Sequence, residues 1–302
     1  MIAQRLRGRL ESWLLRVWFG PASFTDRLLA ALLAPAALPL SWLVASIARR
    51  RRQLIVRQAH DCATVPVVVV GNLVAGGSGK TPLVVAIARG LAEAGFHPGL
   101  LARGYRATSN GSADDATRTP ATLIDGSSDG AAVGDEAVLL ALETGLPVAV
   151  GKDRRAAAEL LQRRHPTCNV IISDDGLQHV GLPRTIELLV IDSRGFGNGR
   201  CLPAGPLREP PDRADSVDAM VLTAGAAPVA ASRLMPAAPQ GATPPHPRVF
   251  RSALEVQRFR VLDGSAHWLP AQFARCFGGE TLTALAGIAQ PQRFFASLRA
   301  LG

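Results

Sequence analysis

Hydrophobic and polar positions divide the chain into three patterns. Leu28 to Ala48 carries no charge and is closed by Arg49, Arg50, Arg51 and Arg52. About twenty apolar residues cross the hydrocarbon of a bilayer, although Pro35 and Pro39 would kink such a helix. Before it, Arg5, Arg7, Arg9, Arg16 and Arg27 are interleaved with Trp13, Leu14, Leu15, Val17, Trp18 and Phe19, as in an amphipathic segment lying at a membrane interface. Two readings of 28–48 follow, a membrane segment and a buried core hairpin. The arginine run favours membrane attachment with a cytoplasmic body after residue 48. A cleaved signal peptide fits poorly, because the apolar region starts late and ends in arginines. Spanning the bilayer and lying in one leaflet both fit the length.

The second pattern alternates short apolar runs with helical segments. Val67–Val70, Pro98–Ala102, Pro147–Val150, Asn169–Ser173, Thr185–Asp192 and Asp218–Thr223 read as strands. Several are apolar throughout, as expected of strands covered on both faces of a parallel sheet. Leu83–Ala94, Ala137–Glu143 and Asp153–Arg164 read as the helices between them. This order predicts an α/β fold with a mostly parallel sheet flanked by helices. Residues 107–132, rich in Ser, Thr, Asp, Ala and Gly, read as a loop.

The third pattern is weaker. An Ala- and Pro-rich stretch precedes two faint strand signals, Val249–Val256 and Thr281–Ile288, and an amphipathic helix, Pro291–Leu301. The expected division is a membrane-associated helical segment over 1–60, an α/β unit over 61–226, a linker over 227–248, and a smaller, incomplete second α/β unit over 249–302.

Composition narrows the functional classes. The net charge is +9, which attracts anions. Aromatic residues make up 5%, too few for a platform that stacks single-stranded nucleic acid, and no nucleic-acid partner is expected. Cys62, Cys168, Cys201 and Cys276 form no CxxC pair and no metal or disulfide framework. Of 33 Lys and Arg residues only Lys80 and Lys152 are lysines. A compact ammonium differs from a planar guanidinium, so Lys80 stands where chemistry rather than charge alone selects it.

Lys80 lies in the most informative stretch, residues 65–82. The strand Val67–Val70 runs into Val74-Ala75-Gly76-Gly77-Ser78-Gly79-Lys80-Thr81, and Pro82 suits the first turn of a helix. Loop N–H groups and a helix N-terminus form an anion cradle, Lys80 adds a point charge, and the Thr81 hydroxyl suits Mg²⁺. The pattern is that of a nucleotide-binding phosphate loop, with Val74 where glycine is usual. The plain alternative is a chance glycine-rich turn.

A second signal is Asn169-Val-Ile-Ile-Ser-Asp174-Asp175-Gly176, a strand ending in two carboxylates. In phosphate-loop enzymes such a strand lies beside the loop strand and its Asp reaches Mg²⁺ directly or through water; the plain alternative is an Asp-Gly turn. His179, just after, reads equally as a substrate contact or as structure. Asp135 precedes an apolar helix and reads first as a helix cap. Lys152, Arg154 and Arg155 at the start of another helix oppose its dipole, which fits an anionic ligand or a solvated face. Arg194–Arg200 and Leu202–Pro210, rich in Gly, Pro and Arg, suit a loop wrapping a ligand at strand C-termini.

Six stretches in order, PVVVVGNLVAGGSGKTP (66–82), LARGY (101–105), VGDEAVLLA (133–141), IISDDGLQH (171–179), RGFGNGR (194–200) and LPAGPLREP (202–210), followed by LAGIAQPQRFF (285–295), resemble the tetraacyldisaccharide 4′-kinases of Gram-negative bacteria. That family also lacks the glycine replaced by Val74. The resemblance implies ATP- and Mg²⁺-dependent phosphorylation of the 4′-hydroxyl of a lipid A disaccharide 1-phosphate at the cytoplasmic face of the inner membrane. Its implied partners are that lipid substrate and inner-membrane lipid, with no obligatory protein partner. It implies that residues 74–81 bind nucleotide, with Lys80 on the β/γ-phosphates, and that Thr81, Asp174 and Asp175 hold the metal or its waters. Asp135 would activate the sugar hydroxyl, and Arg208 and Arg154 would contact phosphates. The family continues beyond the last of these stretches with Asp-His-His and Thr-Glu-Lys-Asp segments that residues 1–302 do not contain. A histidine of the first is thought to pair with the carboxylate matched by Asp135. The expectation is therefore a chain that binds ATP but is a weak, marginally stable kinase. Leu282, Leu285, Ile288 and Phe294 are expected to lack packing neighbours. Two other classes remain: a membrane-associated nucleotide switch or partitioning-type ATPase, whose signature lysine is Ala75 here, and a bare binder of anionic lipid or nucleic acid resting on charge alone.

Overall fold

The structure, a computed structural model, describes residues 2–58, 65–104, 121–223, 247–261, 264–288 and 291–301. Two helices come first, α1 (Ile2–Phe19) and α2 (Phe24–Gln58). Then follow β1 (Val67–Gly71), α3 (Lys80–Glu93), β2 (Pro98–Ala102), β3 (Thr122–Ile124), α4 (Gly130–Val133), α5 (Asp135–Thr144), β4 (Val148–Val150), α6 (Arg154–Arg164), β5 (Val170–Asp174), β6 (Ile186–Ile191) and β7 (Ala219–Thr223). The last elements are β8 (Arg248–Ser252), β9 (Phe259–Arg260), β10 (His267–Trp268), α7 (Pro270–Phe277) and α8 (Pro291–Arg299).

The main sheet has the order β3-β4-β2-β5-β1-β6-β7-β8. Only β3 runs antiparallel to its neighbour. β1 lies between β5 and β6, with Val70 opposite Asp174. Adjacent strand residues point to opposite faces, and two cores result. Val68, Val70, Leu100 and Ile172 pack with Val84 and Ala88 of α3 and Ala137 and Leu140 of α5. Val67, Val69, Leu101 and Ile171 pack with Ala157 and Leu161 of α6. The C-terminal ends of β1 and β5 thus lie side by side over a rigid base.

The predicted α/β architecture is what the structure shows, with four differences in detail. The part of the predicted 107–132 loop that is described contains β3 and α4. The strand expected over 249–256 is β8, and it pairs with β7 in the main sheet. Residues 281–288 form no strand, and all but Ala286 are exposed. The short elements β9, β10 and α7 have no counterpart in the sequence reading.

α2 continues through Pro35 and Pro39. Its Phe24–Leu54 portion is long and apolar enough to cross a membrane, and little of it is buried. Leu32 and Trp42 are 70% and 71% exposed. The buried-hairpin reading of 28–48 is therefore wrong. Arg16 ties α1 to α2 through Asp26, with Nε–Oδ2 at 3.0 Å. Further along α2, the Ser41 hydroxyl donates to the Cys201 carbonyl at 2.8 Å, and Arg49 meets Asp212 at 3.3 Å.

Candidate active site

The site forms where β1 and β5 end. After Gly71 the chain turns through residues 72–79 into α3. Gly76 has φ 97° and Gly79 φ 73°, conformations in which a side chain is strained. Val74 explains the missing glycine. It forms an antiparallel bridge with Leu207 and is buried, so this position packs and pairs rather than turning freely. Ala75 N–H donates to the Pro206 carbonyl at 2.8 Å, and Arg208 N–H to the Leu73 carbonyl at 2.7 Å. Residues 206–208 therefore pair by backbone with residues 73–75 of the phosphate loop.

Lys80 opens α3 with its ammonium between Asn72 Oδ1 (3.0 Å) and Asp175 Oδ1 (3.3 Å). Asn72 donates in turn to the Val74 carbonyl at 2.8 Å. Asp175, at φ 52°, also accepts from Arg208 Nη1 at 3.0 and 2.9 Å. Burial acts to raise the Asp175 pKa, but Lys80 and Arg208 outweigh it and hold the carboxyl below its usual range. Asp174 differs. Burial pushes it up to about 6 against the pull of Lys80, and Glu136 and Asp175 push the same way. Its Oδ2 is 3.4 Å from the Thr81 hydroxyl, and its buried Oδ1 has no hydrogen-bond partner among the described residues. The Ser78 hydroxyl is likewise buried without one.

These orphaned oxygens bear on the metal. A buried carboxylate oxygen with no protein donor, beside a hydroxyl, fits a hard cation that takes oxygen ligands. No group of three or more His, Cys, Asp or Glu among the described residues could hold a metal by itself. Mg²⁺ takes one or two protein ligands and leaves the rest to phosphates and water, and the Thr81 hydroxyl and Asp174 carboxylate present such a pair.

Other predicted residues are placed differently. Arg154 is buried and spends its guanidinium on backbone, donating to the Ala102 carbonyl and, at 3.1 Å, to the Asp174 carbonyl. Through these two contacts it braces the ends of β2 and β5, while its buried Nε has no hydrogen-bond partner among the described residues. Desolvation lowers its pKa to about 10. The start of α6 is satisfied by Asp153, whose carboxylate accepts from the N–H groups of Arg155 and Ala156, and Arg155 pairs with Glu159 on an exposed face. His179 is half-buried. Burial, then the charges of Arg154, Arg103 and Arg184, lower it to about 4, while Asp175 opposes them. Its imidazole is neutral at pH 7.

Asp135 is the first residue of α5 and is exposed. No side-chain hydrogen bond or ion pair among the described residues ties it to the Lys80 cluster. Its neighbour Glu136 faces that cluster electrostatically, raising Asp174. Sequence reasoning passed over Glu136, although it adjoins Asp135 at the same helix start. It also passed over Gln178, which donates to the Asn72 carbonyl (3.2 Å) and to Glu209 Oε1 (2.7 Å). Arg194 was quoted only as part of a motif, yet it donates to the Gly77 carbonyl at 2.6 Å.

A cationic lysine in a glycine loop, a strand-end carboxylate pair and an arginine fork are parts of a nucleotide phosphate site. A family model described as Tetraacyldisaccharide-1-P 4'-kinase matches residues 33–302. The chain belongs to this family. It is 44% identical over 285 residues to the tetraacyldisaccharide 4′-kinase of Aromatoleum aromaticum, covering 93% of this chain and 77% of that protein. With the Dechloromonas aromatica tetraacyldisaccharide 4′-kinase it shares 40% over 293 residues, 97% of this chain and 78% of that one. Among solved structures, LpxK from Aquifex aeolicus in complex with ATP superposes with a TM-score of 0.65 at 27% identity, covering 91% of this chain and 79% of that one. The chain is thus an ATP-dependent kinase of a lipid A disaccharide precursor, as the resemblance implied, and not a partitioning-type switch.

Proposed function

We propose that the chain transfers the γ-phosphoryl group of ATP to the 4′-hydroxyl of its lipid substrate at the cytoplasmic face of the inner membrane, with Mg²⁺ as cofactor. Residues 61–226, extended by β8, would form the catalytic unit, and the rest of 249–302 would begin a smaller second unit. Residues 74–81 would hold the phosphate chain by their N–H groups. Lys80 would lie on the β/γ-phosphates once nucleotide displaces part of its pairing with Asp175. Arg208, freed in the same exchange, would neutralise charge that grows on the transferring group. Thr81 and Asp174, with Asp175 through water, would hold Mg²⁺, which would supply charge neutralisation between the phosphates.

In the transfer, the 4′-oxygen forms a bond to the γ-phosphorus as the bond to the β,γ-bridging oxygen breaks and ADP leaves. The hydroxyl proton goes to a carboxylate, the role proposed for Asp135, whose exposure at a helix start leaves it open to a sugar. His179, neutral, would border the substrate as a hydrogen-bonding rather than a charged group. The exposed apolar face of α2 and the run Arg49–Arg52 would keep the enzyme on an anionic membrane where its substrate resides.

The observation that carries this reading is Lys80 held between Asn72 and Asp175, beside an Asp174 oxygen without a partner among the described residues. Lys80→Ala is expected to cost on the order of a hundredfold or more in turnover with the fold intact. Lys80→Arg is expected to be poor as well, since a fork does not fit a pocket shaped for an ammonium. The measurement is 4′-kinase turnover with far-ultraviolet circular dichroism alongside; near-normal turnover by either variant rejects the assignment.

A further inference from the structure

The end of α1 lies against the loop that borders the phosphate-binding segment, and one arginine joins the two. Arg194 holds the carboxylate of buried Asp192, with Nε–Oδ2 at 3.0 Å and Nη2–Oδ2 at 2.7 Å. From this anchored position Nη2 also donates to the Gly77 carbonyl at 2.6 Å. The ring of Phe19, the last residue of α1, covers the guanidinium, with Cζ 5.3 Å from its centroid. The approach is close: a Cβ on Gly197 would fall 2.6 Å from the Trp18 carbonyl oxygen and 3.1 Å from the Phe19 ring.

What Arg194 grips matters for shape. Gly76 and Gly77 offer little steric resistance to rotation of the peptides they flank. The Gly77 carbonyl and the Ser78 N–H belong to one planar trans peptide and point in opposite directions. Holding the carbonyl outward on Arg194 therefore fixes the direction of the Ser78 N–H, and it opposes a rotation that would turn a carbonyl toward bound phosphate.

We propose that Arg194 is a positioning residue for the nucleotide and that Phe19 holds it in place, so that the docked N-terminal helix pair sets the shape of the phosphate loop. This rests on the reading of residues 74–81 as the nucleotide site, and the inference adds the link from that loop to α1. The link is physically continuous: a ring on a guanidinium, a guanidinium on a carbonyl, and a peptide that cannot turn.

The test measures the dissociation constant of ATP with Mg²⁺ by calorimetry on the full chain, together with steady-state kinetics. Arg194→Gln is expected to weaken ATP binding about tenfold, the order of losing a charge-assisted hydrogen bond. Phe19→Ala is expected to weaken it about threefold, as for a partly buried cation–π contact, and Phe19→Trp to stay within twofold of the parent. The double variant is expected near the Arg194→Gln value rather than the product of the two, because the contacts act in series. In each case KM for ATP rises more than kcat falls; a merely structural defect would lower the active fraction and leave KM unchanged. Lys80→Ala separates the two layers of the argument. If it leaves ATP binding intact, the nucleotide-site reading fails. If it weakens binding while Arg194→Gln and Phe19→Ala do not, or if Phe19→Trp is as damaging as Phe19→Ala, the link from α1 is overturned.

Discussion

At the scale of residues, two neighbouring carboxylates are driven in opposite directions by their partners. Asp175 has Lys80 and Arg208 and stays ionised. Asp174 is buried, has no donor on Oδ1 among the described residues, and its pKa is pushed up to about 6. Its native-state value exceeds the unfolded one near 3.8, so the native chain binds more protons between about pH 4 and 6. Stability therefore falls as pH rises through that window. His179 acts oppositely: with a native value of about 4 against 6.5, it adds stability as pH rises over the same range. Without metal or nucleotide, Asp174→Asn is expected to raise the melting temperature at pH 7 by a few degrees while abolishing turnover. The gain disappears near pH 4. Melting curves of parent and variant across pH 4–8 check this; parallel curves with no gap at pH 7 would refute it. In the parent, kcat/KM for ATP is expected to fall below about pH 6 as Asp174 takes up its proton.

The same scale shows what the sequence could and could not reveal. Lys80, Thr81, Asp174 and Asp175 were legible because phosphate loops and strand-end carboxylates are local patterns. Asn72, whose side-chain contacts are local, lies outside the glycine-loop pattern that drew attention to Lys80. Gln178, Glu209 and Arg194 were not legible, because their roles arise from contacts made between separate segments, such as Arg194 with Gly77, 117 positions apart. The bracing contacts of Arg154 were hidden for a related reason. Its helix position is visible in sequence, but the two strand carbonyls that its Nη groups reach are not.

At the scale of elements, strands buried on both faces gave uninterrupted apolar runs and were readable, whereas β3 was not. It has three residues, runs antiparallel at the sheet edge, and buries only Ile124. The sheet interior is where stability is concentrated. Leu100 on β2 is fully buried between α3 and α5, and Leu100→Ala is expected to cost about 2–5 kcal/mol, measurable by urea denaturation. A loss below about 1 kcal/mol would mean that the core there is loosely packed. α2 is the converse case, an apolar helix whose outer face packs against nothing. Leu32→Glu combined with Trp42→Glu is expected to abolish sedimentation with anionic phospholipid vesicles while leaving the melting temperature and ATP affinity unchanged, since neither side chain supports the fold. Retained vesicle binding would shift the membrane contact to α1 or to the arginine run.

At the scale of the whole molecule, order is distributed unevenly. The central strands β1, β2, β5 and β7 are buried along their full length. No described residue beyond Pro247 is buried. In that region Phe259 stacks on Phe273 at 3.9 Å, and Phe277 lies 4.7 Å from Phe273 and 5.5 Å from Trp268. Around this cluster is a cavity of about 720 Å³ lined by Leu282, Phe294, Phe295 and Leu298 among others. Leu282, Leu285 and Ile288 are 56%, 88% and 57% exposed, as expected from the sequence, whereas Phe294 is half-buried. Few buried apolar contacts mean a low free energy of local opening. Amides of α7 and α8 are therefore expected to exchange with solvent by sub-global opening, orders of magnitude faster than those of β1 and β5, which need global unfolding. Phe273→Ala, which removes the ring shared by the cluster, is expected to speed exchange in β9, β10 and α7 while leaving β1, β5 and the affinity for ATP untouched. Hydrogen-exchange mass spectrometry of the two proteins decides the matter. Equal protection of α7 and β5 in the parent, or loss of protection in β5 on Phe273→Ala, would show instead that the last fifty residues and the sheet unfold as one cooperative unit.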